Sequence, residues 1–129
     1  MTEDHPDAIA YRRTADAFRA GDLDLVKALI APEVVWHVPG DHHMAGTIEG
    51  REALVAWLAQ LAHTGFWLVE HDVFASDQHV CAISTMGARR NRVDAQTRVI
   101  SIFLYRDGQQ VERWLYPDDI DAWNTIFAA

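Results

Sequence analysis

The spacing of apolar residues changes period once along this 129-residue chain, and that change limits the fold more than any other feature. Up to His63 the apolar residues recur mostly at helical spacing. From Phe66 onward the period is two, in four consecutive runs: Phe66–Ser76, His79–Arg89, Val93–Arg106 and Gln110–Tyr116. Asp77-Gln78, Asn91-Arg92 and Asp107-Gly108 separate these runs, and the last pair is a strong hairpin signal. Strands joined by tight turns make an antiparallel sheet, and the helices must then gather on one face of it. The expected fold class is therefore α+β.

The first half supplies the helices. One opens around Asp4 to Asp7, where Asp can cap and Pro6 suits the first turn, and it stops at Gly21. Tyr11, Ala15 and Phe18 share its buried stripe. Asp22 caps a short second helix carrying Leu25, Val26, Leu29 and Ile30, which Pro32 closes. Glu33–Val38 is β-branched and aromatic and reads as a strand. Pro39–Glu49 has no period and reads as a loop. In Arg51–His63, Leu54, Trp57, Leu58 and Leu61 fall at i, i+3, i+4 and i+7, and Gly65 ends that helix. Asp118 or Asp119 caps a short C-terminal helix with Ile120, Trp123 and Phe127. A long curved sheet facing a few helices encloses a concave, mostly apolar cavity, the usual setting of a small-molecule site.

Length and charge narrow the partners. A chain of 129 residues makes one domain, residues 1–129, with one real core. Eleven Lys and Arg against nineteen Asp and Glu leave a net charge of −8. That field repels phosphate backbones and anionic membranes, so neither nucleic acid nor a membrane is an expected partner. Cys81 is the single cysteine, which excludes an internal disulfide or a cysteine-based zinc site. The acidic, polar MTEDHPDAIA lacks the order of a secretory signal, and the default compartment is the cytoplasm.

Gly21-Asp22-Leu23 between two helices, the strand VVWHVPG, Gly46…Gly50-Arg51-Glu52-Ala53 before the third helix and the closing WLYPDD resemble one known family. They are similar to the SnoaL-like branch of the nuclear transport factor 2-like superfamily, relatives of ketosteroid isomerases and polyketide cyclases. The resemblance spans nearly the whole chain. It implies a cone-shaped fold, a curved and mostly antiparallel sheet packed against three helices of the N-terminal half, with a short C-terminal helix. It also implies a homodimer formed through the outer face of the sheet. It does not select an activity, since one scaffold hosts many. The ketosteroid isomerase base, a carboxylate on the first strand ahead of a Pro/Gly pair, falls on His37. The isomerase oxyanion tyrosine falls on Thr14, its second donor on Ser101 or a neighbour, and an aromatic lining residue on Tyr116. Two defining groups are thus missing, and steroid isomerisation as such is not expected.

His37 is the first candidate for chemistry, because an imidazole exchanges protons near neutrality. With alternation, Val35 and His37 face one side while Val34, Trp36 and Val38 face the other. The plain alternative is a histidine bonded to backbone or exposed at a strand end. Tyr116 shares a face with Glu112 and Trp114, and can stabilise a developing oxyanion or simply pack. Trp114, His71, His42, Phe103 and Thr14 complete the expected ligand-binding set. His71 is either a satisfied core group or a polar feature of the cavity. His37, His42 and His43 form an H-x₄-H-H cluster, but ring nitrogens on a loop lack fixed geometry. No metal or other cofactor is expected, and the loop reads better as a mobile lid. Arg89, Arg90 and Arg92 crowd one turn and read as a solvated tip, while Arg98 is either an outward charge or a buried partner for a carboxylate. Cys81 reads as a small core residue. The function so expected is an isomerase, cyclase or lyase moving a proton on a carbonyl-containing apolar compound. The competing reading is a ligand-binding or dimerising module without catalysis.

Overall fold

The computed structural model describes residues 5–129. Its elements run α1 (Pro6–Arg19), α2 (Leu23–Ala28), β1 (Ile30–Val38), β2 (Gly46–Glu49), α3 (Arg51–Leu61), β3 (Phe66–Ala75), β4 (Val80–Arg90), β5 (Val93–Arg106), β6 (Gln109–Pro117) and α4 (Ile120–Ile126). All six strands form one sheet in the order β2-β1-β6-β5-β4-β3. Only β1 and β6 pair in parallel; the other neighbours are antiparallel.

The helix ends follow local chemistry. Asp4 lies outside the described residues, and His5 is the N-cap of α1, its Nδ1 accepting from the Asp7 N–H at 3.1 Å. At the other end Gly21 has φ +73°. There its N–H meets the Phe18 carbonyl at 3.0 Å and the Asp22 N–H meets that of Ala17 at 2.9 Å. Those two bonds satisfy carbonyls that the last helical turn leaves open. Asp22 caps α2 through the Leu25 N–H, and Asp119 caps α4 through the Ala122 N–H, each at 3.1 Å.

Two expectations need correction. Pro32 does not close α2: that helix ends at Ala28, and Ile30 already belongs to β1. Proline is tolerated there because the β1–β6 ladder is interrupted between Ile30 and Val35, so no N–H is required of it. The loop after Pro39 also contains a strand. Gly46–Glu49 pairs antiparallel with Val35–Val38, and four residues are too few to declare a period.

The sheet bends where its ladders slip. One irregularity lies between Glu70 and Asp72 in β3, and another lies opposite Leu104 and Tyr105 in the β5–β6 pairing. An extra residue at such points increases local twist and curls the strand. The concave face carries the core. Trp123, Phe127, Val34, Val99 and Leu54 lie in its main cluster, and Tyr11, Val73, Val80 and Phe103 in a second. Arg90, expected at a solvated tip, instead donates to the Thr64 and Ile126 carbonyls at 3.1 and 2.8 Å, and also to that of Ala128. A guanidinium suits those open carbonyls at the end of α4.

Candidate functional site

Two depressions bracket the sheet. The first, of about 470 Å³, lies on the concave face under the helices. Trp36, Trp57, Trp67 and Trp123 line it, with Phe18 and Phe127 among the other apolar groups. Tyr11, Thr14, Gln110 and Arg113 are its inner polar groups, while Arg19 is an exposed residue held by Asp16. The second, about 450 Å³, lies on the convex face, and His37, Thr47, Trp114, Tyr116, Pro117 and Ile120 border it.

The strand pairing explains this division. On β1 the buried Val34, Trp36 and Val38 share one parity, and His37 takes the other, as alternation requires. Trp36 pairs with Arg113 and His37 with Trp114, so Arg113 faces the core and Trp114 the outside. His37 and Tyr116 therefore share the outer groove and not the apolar cavity in which the proton-transfer reading set them. There the His37 Nε2 lies 2.6 Å from Glu112 Oε2, and its ring stacks on Trp114 at 5.6 Å with 12° between planes.

The other expected residues scatter. Thr14 does line the cavity, and its hydroxyl donates to the Ala10 carbonyl at 2.9 Å. Phe103 is fully buried behind it, 4.6 Å from the Tyr11 ring. His71 sits in the β3 irregularity, exposed, with Nε2 2.8 Å from Thr85 Oγ1. The extra residue there reverses the parity, turning Val73 inward and His71 outward. Arg98 is exposed and pairs across the ladder with Thr85, an outward sheet charge. Cys81 is half-buried opposite Phe74, and burial pushes its thiol up.

His42 braces the loop. Its ring stacks on Phe127 at 4.2 Å, its Nδ1 accepts from the Met44 N–H at 3.1 Å, and its Nε2 lies 3.0 Å from the Pro39 carbonyl. Neutral imidazole with the proton on Nε2 satisfies both bonds. Asn124 accepts the Asp41 N–H at 2.8 Å, and Trp57 donates to the Met44 carbonyl at 3.0 Å. The expected mobile lid is a segment pinned to α3 and α4. Among the described residues no three His, Cys, Asp or Glu side chains cluster as metal ligands would.

Of the inner polar groups only Thr14 was expected from the sequence as a binding residue, and their order is chemically directional. Trp36 Nε1 donates to Gln110 Oε1 at 2.5 Å, and Gln110 Nε2 donates to the Tyr105 hydroxyl at 3.0 Å. The Thr14 hydroxyl already donates to Ala10, so across 3.3 Å Tyr105 donates to Thr14. Burial pushes the phenols of Tyr105 and Tyr11 up; Tyr11 also feels Arg113, which lowers it, and a hydrogen-bonded Glu70, which raises it. Both are fixed as neutral donors at ordinary pH.

Arg113 is the exception in this network. Among the described residues only Nη2 has a protein acceptor, Ser101 Oγ at 2.9 Å, while Nε is buried without one. Its guanidinium carbon lies 4.5 Å from the ring centres of Trp36 and of Phe103. The two rings clamp the plane and offer cation–π attraction but no hydrogen-bond acceptor. Burial pushes Arg113 below the usual guanidinium range, with Tyr11, Tyr105 and Glu70 acting against that. No carboxylate lies within ion-pair distance of it among the described residues. The overlooked signal was parity: Val34, Trp36 and Val38 mark the buried side of β1, and its neighbour must bury Arg113.

This architecture has known counterparts. The SnoaL-like domain model matches residues 11–113. The chain belongs to that family. An uncharacterised protein of Mycobacterium tuberculosis is 42% identical over 62 residues, 48% of this chain and 47% of that protein, so this SnoaL-like chain matches about half of that relative's length. The solved structure of Bal32a, from a soil-derived mobile gene cassette, superposes with a TM-score of 0.89 at 26% identity, covering 95% of this chain and 96% of that one. Two others share the fold at lower identity. An LEH-like epoxide hydrolase of M. tuberculosis gives 0.76 at 20%, covering 97% and 92%. A putative ketosteroid isomerase of Kribbella flavida gives 0.75 at 15%, covering 92% and 82%.

Proposed function

We propose that this SnoaL-like protein binds one apolar small molecule in the concave-face cavity. The observation that carries the reading is the cavity itself: about 470 Å³, lined by four tryptophans, with polar groups gathered on Tyr11, Gln110 and Arg113. That size and mixture suit a compact, mostly apolar ligand oriented by a few polar contacts. Among the described residues no histidine or carboxylate lines the cavity, so binding without turnover is the favoured reading over proton transfer. Calorimetric titration with 2-acetylnaphthalene tests it. A saturable 1:1 isotherm is expected for the wild type and a much weaker one for Ala15→Phe, which narrows the cavity. Equal binding by both proteins would refute it. Ligand at about 100 times Kd should also raise the unfolding free energy by about 2.7 kcal/mol, and it should be recovered unchanged.

A second reading retains catalysis, on the strength of His37 held 2.6 Å from Glu112 in a groove bordered by Tyr116. A carbonyl compound seated there meets an imidazole base and a phenol donor. Proton exchange into 2-acetylnaphthalene in D2O is its test; equal rates for wild type and His37→Ala end it. We also propose a homodimer through the convex face, where Val69, Phe74, Ile100 and Tyr116 are exposed. The acidic balance and the single thiol support a cytoplasmic protein with neither nucleic acid nor membrane as partner. Among the described residues no helix is long and apolar enough to cross a membrane.

A further inference from the structure

We infer that the cavity's ligand is an organic acid, an aromatic or otherwise apolar body whose carboxylate pairs with Arg113. The inference rests on the cavity reading above and adds the ligand's charge. Arg113 lines the cavity, yet it is 8% exposed and stands in a pocket of rings. Of its five N–H donors one has a protein acceptor, and the buried Nε has none. A guanidinium stripped of water and short of acceptors is costly, and a carboxylate is the group whose geometry and charge complete it.

The neighbouring groups do not fill that role. Gln110 is committed to Trp36 and Tyr105, Thr14 to Ala10 and Tyr105, and Ser101 is the one acceptor already in use. Glu70 is the carboxylate that acts on Arg113, but it stands beyond ion-pair distance and does not line the cavity. Trp36 and Phe103 hold the guanidinium plane from both sides, so its orientation is set before a ligand arrives. Preorganisation of that kind favours a planar, bidentate acceptor over a point dipole. Tyr11, kept protonated, supplies a hydroxyl beside the same end.

Three probes of equal bulk separate charge from shape: 2-naphthoate, 2-acetylnaphthalene and 2-naphthylmethylammonium, titrated calorimetrically at neutral pH into the full chain. Naphthoate is expected to bind at least about tenfold more tightly than the ketone, with the ammonium weakest, as a charge-assisted pair would give. Arg113→Met should abolish the preference, read as the ratio of naphthoate to ketone affinity within that variant, while Arg19→Ala should leave the preference intact. Arg113→Lys should keep part of it, since charge remains but the planar fork is lost. If Arg113→Met fails to fold, the order of the three probes on the wild type still decides. Ketone or ammonium binding as tightly as naphthoate overturns the inference and leaves the cavity reading standing. Naphthoate preference that survives in folded Arg113→Met also overturns it. Failure of all three probes to bind overturns the cavity reading as well.

Discussion

Gly65 and Tyr11 show how single side chains are held by their surroundings. Gly65 has φ +74°, and a Cβ there would stand 2.1 Å from the Arg89 carbonyl oxygen. Neither the backbone angle nor that rigid neighbour can yield cheaply, so Gly65→Ala should cost about 2–4 kcal/mol. Urea unfolding checks this through a lower midpoint at unchanged slope. Tyr11 supplies a pH dependence. Its folded-state pKa is raised by burial, so its contribution to stability is complete below the ordinary phenol value and is lost as pH rises past about 10. Thermal melts should therefore fall above that pH. Tyr11→Phe should flatten the alkaline limb without abolishing it, because Tyr105 is raised by the same burial. Tyr11 was legible as a core residue from its helical spacing, whereas its polar role depends on Arg113 and Glu70, distant in sequence.

Among the elements, the helices and the four long strands were legible because their signals are local: period, caps and turn residues. Asp107 at φ 53° and Gly108 at φ 78° form the turn that their sequence announced. The short β2 was not legible, since it exists only by pairing with β1. The facing of His71 was misleading for a related reason. Alternation across Phe66–Ala75 assumes an unbroken ladder, and the irregularity at Glu70–Asp72 reverses it. The segment between β1 and β2 carries a prediction of its own. Burial lowers the His42 pKa, so its share of stability is present above the ordinary imidazole value and is lost as pH falls through about 6.5 and below. Protonated Nδ1 can no longer accept the Met44 N–H. The protection factor of the Met44 amide against hydrogen exchange should fall below that pH. His42→Ala should remove the acid dependence and cost about 1–2 kcal/mol through lost stacking and hydrogen bonds.

At the scale of the whole molecule, the convex face is the surface on which the proposed dimer rests. Val69, Phe74, Ile100, Tyr116 and Ile120 are all at least 39% exposed, and a convex face this apolar calls for cover. Sedimentation at micromolar concentration should give a dimer, and Ile100→Lys should give a folded monomer with its cavity binding intact. A wild type that sediments as a monomer refutes the dimer. Aromatic residues on that outer face are also why the placement of His37 and Tyr116 was not legible in the sequence. Each parity of β6 carries large side chains, Trp114 and Tyr116 on one side and Leu115 with the charged Arg113 on the other. Residue type alone therefore does not say which side of β6 faces the helices. The sequence by itself determined the α+β class, every element but β2 and the family, because period, capping and turn chemistry act between residues a few positions apart. Tertiary structure decided which face of β1 and β6 is concave, that His37 pairs with Glu112 outside, and that Arg113 is buried between Trp36 and Phe103 short of acceptors. Those outcomes depend on strand register and on pairings between residues more than 70 positions apart, as for Trp36 and Gln110. A one-residue slip in such a pairing turns every side chain over without changing any local signal.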